Sequence, residues 1–328
     1  MKGLTAMLST PNPDSIVTQR YAALVLRAGL GIVFLAGAVA KLERLLAPDK
    51  AKGIIDDYIG PLGYINQTFL DWLFASPLGS VLTPWNFLTT LSAFELVSGV
   101  FLIAGLMVRP LSIVWAFLLW SFVVSLPVVT TPGIHPASAT YMSPAELVQV
   151  RDIALSGFFF VLYNLGSGAF SLDGTRFGLP ESMEREWDPL GLLLRLSLAA
   201  VFIIGGFFAG YSKIVTFGMP AVSLAAIGIG LAAGIGVRFF AAAACAVLLW
   251  FLAAKIGAAP GVIGYFNSVK REFALLAAAG VLTAVGGGRL FVIGHAHKGL
   301  ASWCDVYFSR KRAPGTLTGP AGLSRRAG

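Results

Sequence analysis

The sequence predicts an all-α polytopic membrane protein in which eight transmembrane helices form two parallel four-helix repeats. Three observations carry that expectation. Of 328 residues, 56% are hydrophobic and 12% charged, and the mean hydropathy is +0.79, whereas soluble domains carry about 25% charged residues. A water-soluble protein of this size is thereby excluded. Eight apolar segments then approach the roughly 20 residues that cross about 30 Å of hydrocarbon at helical rise. Finally, the first four segments recur as the last four.

The first segment, 21 to 42, is longer than the roughly 7 to 15 residues of a signal-peptide core and carries Arg27 inside, so it reads as a retained helix. The second and third, 86 to 108 and 110 to 130, are separated only by Arg109-Pro110 and form a tight hairpin. The fourth runs from 150 to 170 and the fifth from 190 to 214. Segments 219 to 236 and 238 to 257 make a second hairpin around Arg238, and the Gly-rich sixth lets helix backbones approach closely. The eighth spans 270 to 293.

Self-comparison pairs LVLRAGLGIVFLAGAVAKL with LLLRLSLAAVFIIGGFFAGYSKI, matching Arg27 to Arg195 and, after an insertion of one helical turn, Lys41 to Lys213. The hairpins match Arg109 to Arg238 and Trp120 to Trp250. In the last helices VRDIAL pairs with KREFAL, so Arg151 and Asp152 meet Arg271 and Glu272. Four helices return the chain to its starting side, which makes the repeats parallel. The organisation expected is an N-terminal segment 1–20, a first unit 21–173 with long outer loops, a linker 174–188, a second and degenerate unit 189–293, and a basic tail 294–328. Only the first unit carries an acid such as Glu95 inside its second helix; Leu224 stands at the matching place, so chemistry is expected in the first half and scaffolding in the second.

Charge gives the orientation. The net charge of +8 rests on 24 Lys and Arg dispersed among apolar runs, which is not the basic stripe that tracks nucleic acid. Fifteen of those cations fall on the face that carries both termini, which the positive-inside rule makes cytoplasmic. The loops 43 to 85 and 130 to 149 then face outward; the former, with IIDDYIGPLGYINQTFLDWLF, reads as an interfacial helix, a docking surface or a cap over the bundle.

With LRAGLGIVFLAGAVAKL, SPLG at 76 to 79, FELVSGVFLIAGLMVRPLS, RDIAL and GSGAFSLD in order, residues 24 to 173 resemble the DoxX/DoxD family, in particular its DoxD-type subunits of thiosulfate:quinone oxidoreductase. The second half is similar more weakly, and its GGGRLFVIG departs from the SLD ending. The resemblance implies a four-helix membrane bundle, here duplicated, in a bacterial or archaeal cytoplasmic membrane. It further implies thiosulfate dehydrogenase (quinone) activity: oxidation of thiosulfate to tetrathionate at the outer face, with membrane quinone as electron acceptor and a separate DoxA-type partner. The alternative is a non-catalytic accessory or assembly subunit of a respiratory or other redox membrane complex, and a small-molecule carrier is a third reading.

Ionisable residues inside a membrane cost at least about 2.5 to 3.5 kcal/mol each at its centre and therefore face the bundle and pair. Glu95 lies about ten residues into its helix, and either takes the proton that accompanies quinone reduction or bridges to Arg151 or Lys41. Glu95, Arg151 and Asp152 are the expected catalytic residues, with Lys41, His135 and Arg109 as substrate contacts. Lys41, Arg151 and His135 belong at the outer face, where paired cations attract a dianion; the alternative is a snorkelling Lys41 and a local Arg151–Asp152 pair. Arg27 and Arg195, near headgroup depth, read as packing anchors or lipid contacts. Tyr58, Tyr64, Trp72, Trp85 and Trp120 suit interfacial belts on which a quinone ring could stack.

No resident cofactor is expected. His135, His295 and His297 fall outside the spans, against a bis-His haem, and HAH at 295 to 297 is too sparse for a metal site. Cys245 and Cys304 make neither a CxxC nor an iron–sulfur ligand set, and GGGR at 286 to 289 ends a helix instead of opening a nucleotide-binding turn.

Overall fold

The computed structural model describes residues 12–60, 63–65, 67–124, 144–178, 185–207, 219–259 and 261–291, and for 144–150 the backbone alone. Every regular element among them is helical. In chain order these are α1 (Ile16–Leu46), α2 (Pro48–Ile59), α3 (Gln67–Ala75), α4 (Pro84–Ala104), α5 (Val108–Val124), α6 (Pro144–Leu165), the single turn α7 (Leu172–Thr175), α8 (Trp187–Phe207), α9 (Ala221–Ala233), α10 (Val237–Lys255) and α11 (Gly261–Val285).

Helices α1, α4, α8 and α10 are long and apolar enough to cross a membrane, and α5 and α9 are shorter apolar helices. With about 25 and 22 residues, α11 and α6 have the length, but each carries charges in mid-helix. The first helix of each half is central. Helix α1 packs against α4 and α11, and α8 packs against α9 and α6, so the opening helix of one half lies beside the closing helix of the other. The hairpins α4–α5 and α9–α10 flank this centre, joined to it through α6 and α11.

Local chemistry explains where the helices start and stop. Thr83 caps α4 by accepting from the Asn86 N–H, and Pro84 follows at the first helical position, where a missing N–H costs nothing. The same helix ends on Gly105 and α9 ends on Gly234, both left-handed at φ 72°. The hairpin turns are therefore 105–107 and 234–236, and Arg109 and Arg238 each stand second in the helix that follows.

Two expected spans differ in register. The eighth begins at Gly261 instead of 270, and the fourth at Pro144 instead of 150. In the sequence Arg151–Asp152 and Lys270–Glu272 read as helix ends. In the fold Arg151 pairs with Glu272 and Arg271 with Asp152 in mid-helix, so the helices run on through them. The outward loop 43 to 85 contains α2, α3 and the 3-10 turn Pro77–Ser80. His135, Lys213, His295, His297, Cys304 and the tail 294–328 lie outside the described residues.

Candidate functional site

Helix α1 presents Phe34, Gly37 and Lys41 at spacings of three and four, which keeps them on one face. Lys41 is 6% exposed, forms an ion pair with Glu95 of α4, and stands 5.2 Å from the centre of the Tyr58 ring. Of the two bridges the sequence allowed for Glu95, the fold makes the one to Lys41.

Across the centre of the bundle, α6 and α11 exchange ion pairs. Arg151 Nη1 donates to Glu272 Oε1 at 2.9 Å, and Arg271 Nε donates to Asp152 Oδ1 at 3.2 Å. The local Arg151–Asp152 pair expected from adjacency does not form, because neighbours on a helix point about 100° apart and each meets the facing helix instead. Lys270 lies across the bare backbone of α1 at Gly37, where a Cβ would sit 3.4 Å from its Cδ and Nζ. Its Nζ bonds Asn267 Oδ1 at 2.7 Å, and it has no carboxylate partner among the described residues.

These groups enclose a cavity of about 40 Å³, with room for about three waters. Its polar wall is Lys41, Glu95, Asp152, Lys270 and Arg271, with Tyr58 and Tyr64 beside them. The apolar wall includes Phe34, Trp115 and Phe122, and the Phe34 and Trp115 ring centres are 4.0 Å apart. Three cations face two carboxylates, each already paired, so the wall carries one positive charge in excess. Two buried polar atoms on lining residues, Trp115 Nε1 and Asp152 Oδ2, have no hydrogen-bond partner among the described residues. A buried donor and acceptor left this way mark a place where water or a ligand belongs.

Of the expected site residues, Lys41, Glu95 and Asp152 converge on the cavity, and Arg151 supports it through Glu272. Arg109 does not take part: it stands at the opposite end of α5 from the lining Phe122. His135 is outside the described residues. Lys270 and Arg271 of α11, in the half expected to be scaffold, supply two of the three cations. In the sequence KRE reads as a helix boundary, which hides these two cations; its alignment with VRD is the signal that points to them.

At the other end of the bundle, Arg27 and Arg195 are neither lipid contacts nor ion pairs but clamps on backbone carbonyls. Arg27 Nη1 donates to Leu102 and Ile103 O at 3.0 and 2.5 Å, and its Nη2 to Ala169 and Phe170 O at 2.8 and 3.0 Å. Arg195 does the same to Leu231, Ala232, Leu290 and Phe291 O. Each guanidinium thus ties carbonyls of the last turn of one helix, where intrahelical donors run out, to the turn after another. Phe170 and Phe291, in those turns, both hold a positive φ of 54° and 50°. Asp173 completes the first of these ends by accepting from the Met107 and Val108 N–H at 2.9 and 3.3 Å, which caps α5.

Fold and site together define a multi-pass α-helical membrane protein with a charged cavity enclosed in its bundle. Residues 22–126 match the model of the DoxX family. That stretch contains Lys41, Glu95 and Trp115, whereas Asp152, Lys270 and Arg271 come from beyond it. No curated protein and no solved structure matches the chain.

Proposed function

We propose that the protein is the membrane subunit of a thiosulfate:quinone oxidoreductase, in a bacterial or archaeal cytoplasmic membrane with both termini in the cytoplasm. The observation that carries this reading is the cation excess of the cavity wall beside a run of aromatic rings. Fixed positive charge in a low-dielectric setting favours a small dianion and the charge that develops on it. In the reaction, two thiosulfates join through a new S–S bond as tetrathionate and release two electrons; quinone takes these with two protons. Glu95 and Asp152 are the carboxylates that relay the protons, each in an ion pair, with Lys41 and Arg271 respectively.

The same proposal includes eight membrane crossings in two parallel repeats. Pairing of the α6 and α11 charges with each other supports crossings by helices that hydropathy alone does not select. The matched carbonyl clamps of Arg27 and Arg195 support a duplication.

A second reading, an accessory subunit of a redox complex, is favoured by the cavity's size, because about three waters fill it and a quinone ring does not enter without movement. The test is thiosulfate-dependent reduction of a short-chain quinone by the purified chain, alone and with whatever co-purifies. Turnover that falls at least about tenfold in Lys41→Ala supports the oxidoreductase. Stable co-purification with a redox complex and no turnover in any fraction rejects it and leaves the accessory role.

A further inference from the structure

We infer that Lys270 and the Trp115 indole N–H hold a small oxyanion in the cavity, so that the second half of the chain supplies the charge of a site whose floor belongs to the first. The inference rests on the oxyanion chemistry proposed above and deepens it by naming the ligands. Lys41 and Arg271 are each committed to a carboxylate, Glu95 and Asp152 respectively. Lys270 is the cavity cation whose charge has no counterion among the described residues; its partner is the neutral Asn267 amide. Lys270 is half-buried at the cavity, and an anion bound there gives its ammonium the charged partner it otherwise lacks among the described residues.

Trp115 provides an independent observation. It is 1% exposed, lines the cavity, and its Nε1–H, a group that can only donate, has no partner among the described residues. An oxyanion oxygen accepts from it; a second cation would not. Placement agrees as well. Trp115 packs on Phe34 and Lys270 on Gly37, one helical turn apart along the same face of α1, or about 5 Å. Donors carried on positions this close are within reach of one small tetrahedral anion, each at hydrogen-bond distance. A Cβ at Gly37 would come into ordinary contact with the Lys270 side chain, which runs directly over this position.

The experiment is calorimetric titration of thiosulfate into the full-length chain in detergent, with folding of each variant checked by its thermal melt. Lys270→Gln is expected to weaken binding by about tenfold or more, and Lys270→Arg to stay within about threefold, because charge is what the site needs. Trp115→Phe should weaken binding by about threefold or more while preserving the packing. Equal affinity in wild type and Lys270→Gln overturns the inference, as does absence of binding to the wild type at millimolar thiosulfate. If Lys270→Gln fails to fold, amine acetylation of the wild type decides: thiosulfate should slow labelling of Lys270 and leave the exposed Lys50 unchanged, and labelling of Lys270 that is equally fast with and without it overturns the site. Binding with Lys270 dependence but no quinone reduction rejects the oxidoreductase and keeps this site. Turnover indifferent to Lys270 does the reverse.

Discussion

Arg27 is 1% exposed and faces four carbonyl oxygens instead of a carboxylate. Only a planar fork of donors can reach both Leu102–Ile103 on one side and Ala169–Phe170 on the other, so lysine is not a substitute. Arg27→Lys is therefore expected to lower stability by about 2 to 4 kcal/mol, since at least one pair of carbonyls loses its donor in a buried setting. The unfolding midpoint in detergent measures this; an unchanged midpoint would show the clamp to be incidental. The sequence marked Arg27 and Arg195 as a matched pair but not what they bind. Their acceptors are backbone groups, which every residue carries and no side-chain pattern reveals.

At the scale of elements, close approach of helices rests on small residues. Helix α1 meets α4 where a Cβ at Gly99 would lie 2.6 Å from Leu35 N, and α8 meets α9 where one at Gly228 would lie 2.7 Å from Ile203 N. The atoms encountered are backbone, which cannot swing aside. Gly99→Val should force the two helices apart and destabilise the protein by about 1 to 3 kcal/mol, whereas Gly257→Ala, with nothing within 4 Å, should leave the melting temperature unchanged. Equal melting temperatures for both variants would show that the contact does not limit the packing. Helix existence was legible from apolar runs at nearly every element, and the Gly-rich character of 219 to 236 correctly marked a tightly packed helix. The limits of α6 and α11 were not legible, because Arg151 with Asp152 and Lys270 to Glu272 break the apolar run that marks a span.

For the whole molecule, the exchanged bridges Arg151–Glu272 and Arg271–Asp152 join the two halves. Their side chains are between 0% and 13% exposed, so removing one partner leaves a charge stranded in the bundle. Arg151→Ala should cost about 3 to 5 kcal/mol, and the exchange Arg151→Glu with Glu272→Arg should recover a good part of the loss seen in either single charge reversal. A double-mutant cycle in chemical denaturation measures the coupling, and additive losses would mean that the halves are held by apolar packing alone. The cavity depends on this arrangement, since α1, α4, α5, α6 and α11 each place a residue on its wall.

From composition and periodicity alone it follows that the chain is helical and built for a membrane, because the hydrophobic effect acts on every apolar run in the same way wherever it lies. The deep Glu95 and the matched Arg27 and Arg195 were likewise visible, since a charge inside an apolar segment needs a reason in any fold. Which charge pairs with which was settled only in three dimensions. Arg151 passes over its neighbour Asp152 for Glu272, 121 residues away, and Lys270 crosses from the second half to lie against Gly37 of the first. A charge finds its partner by distance in space, and that distance is set by the packing of α1 on α11 and α6 on α8, which no local pattern encodes.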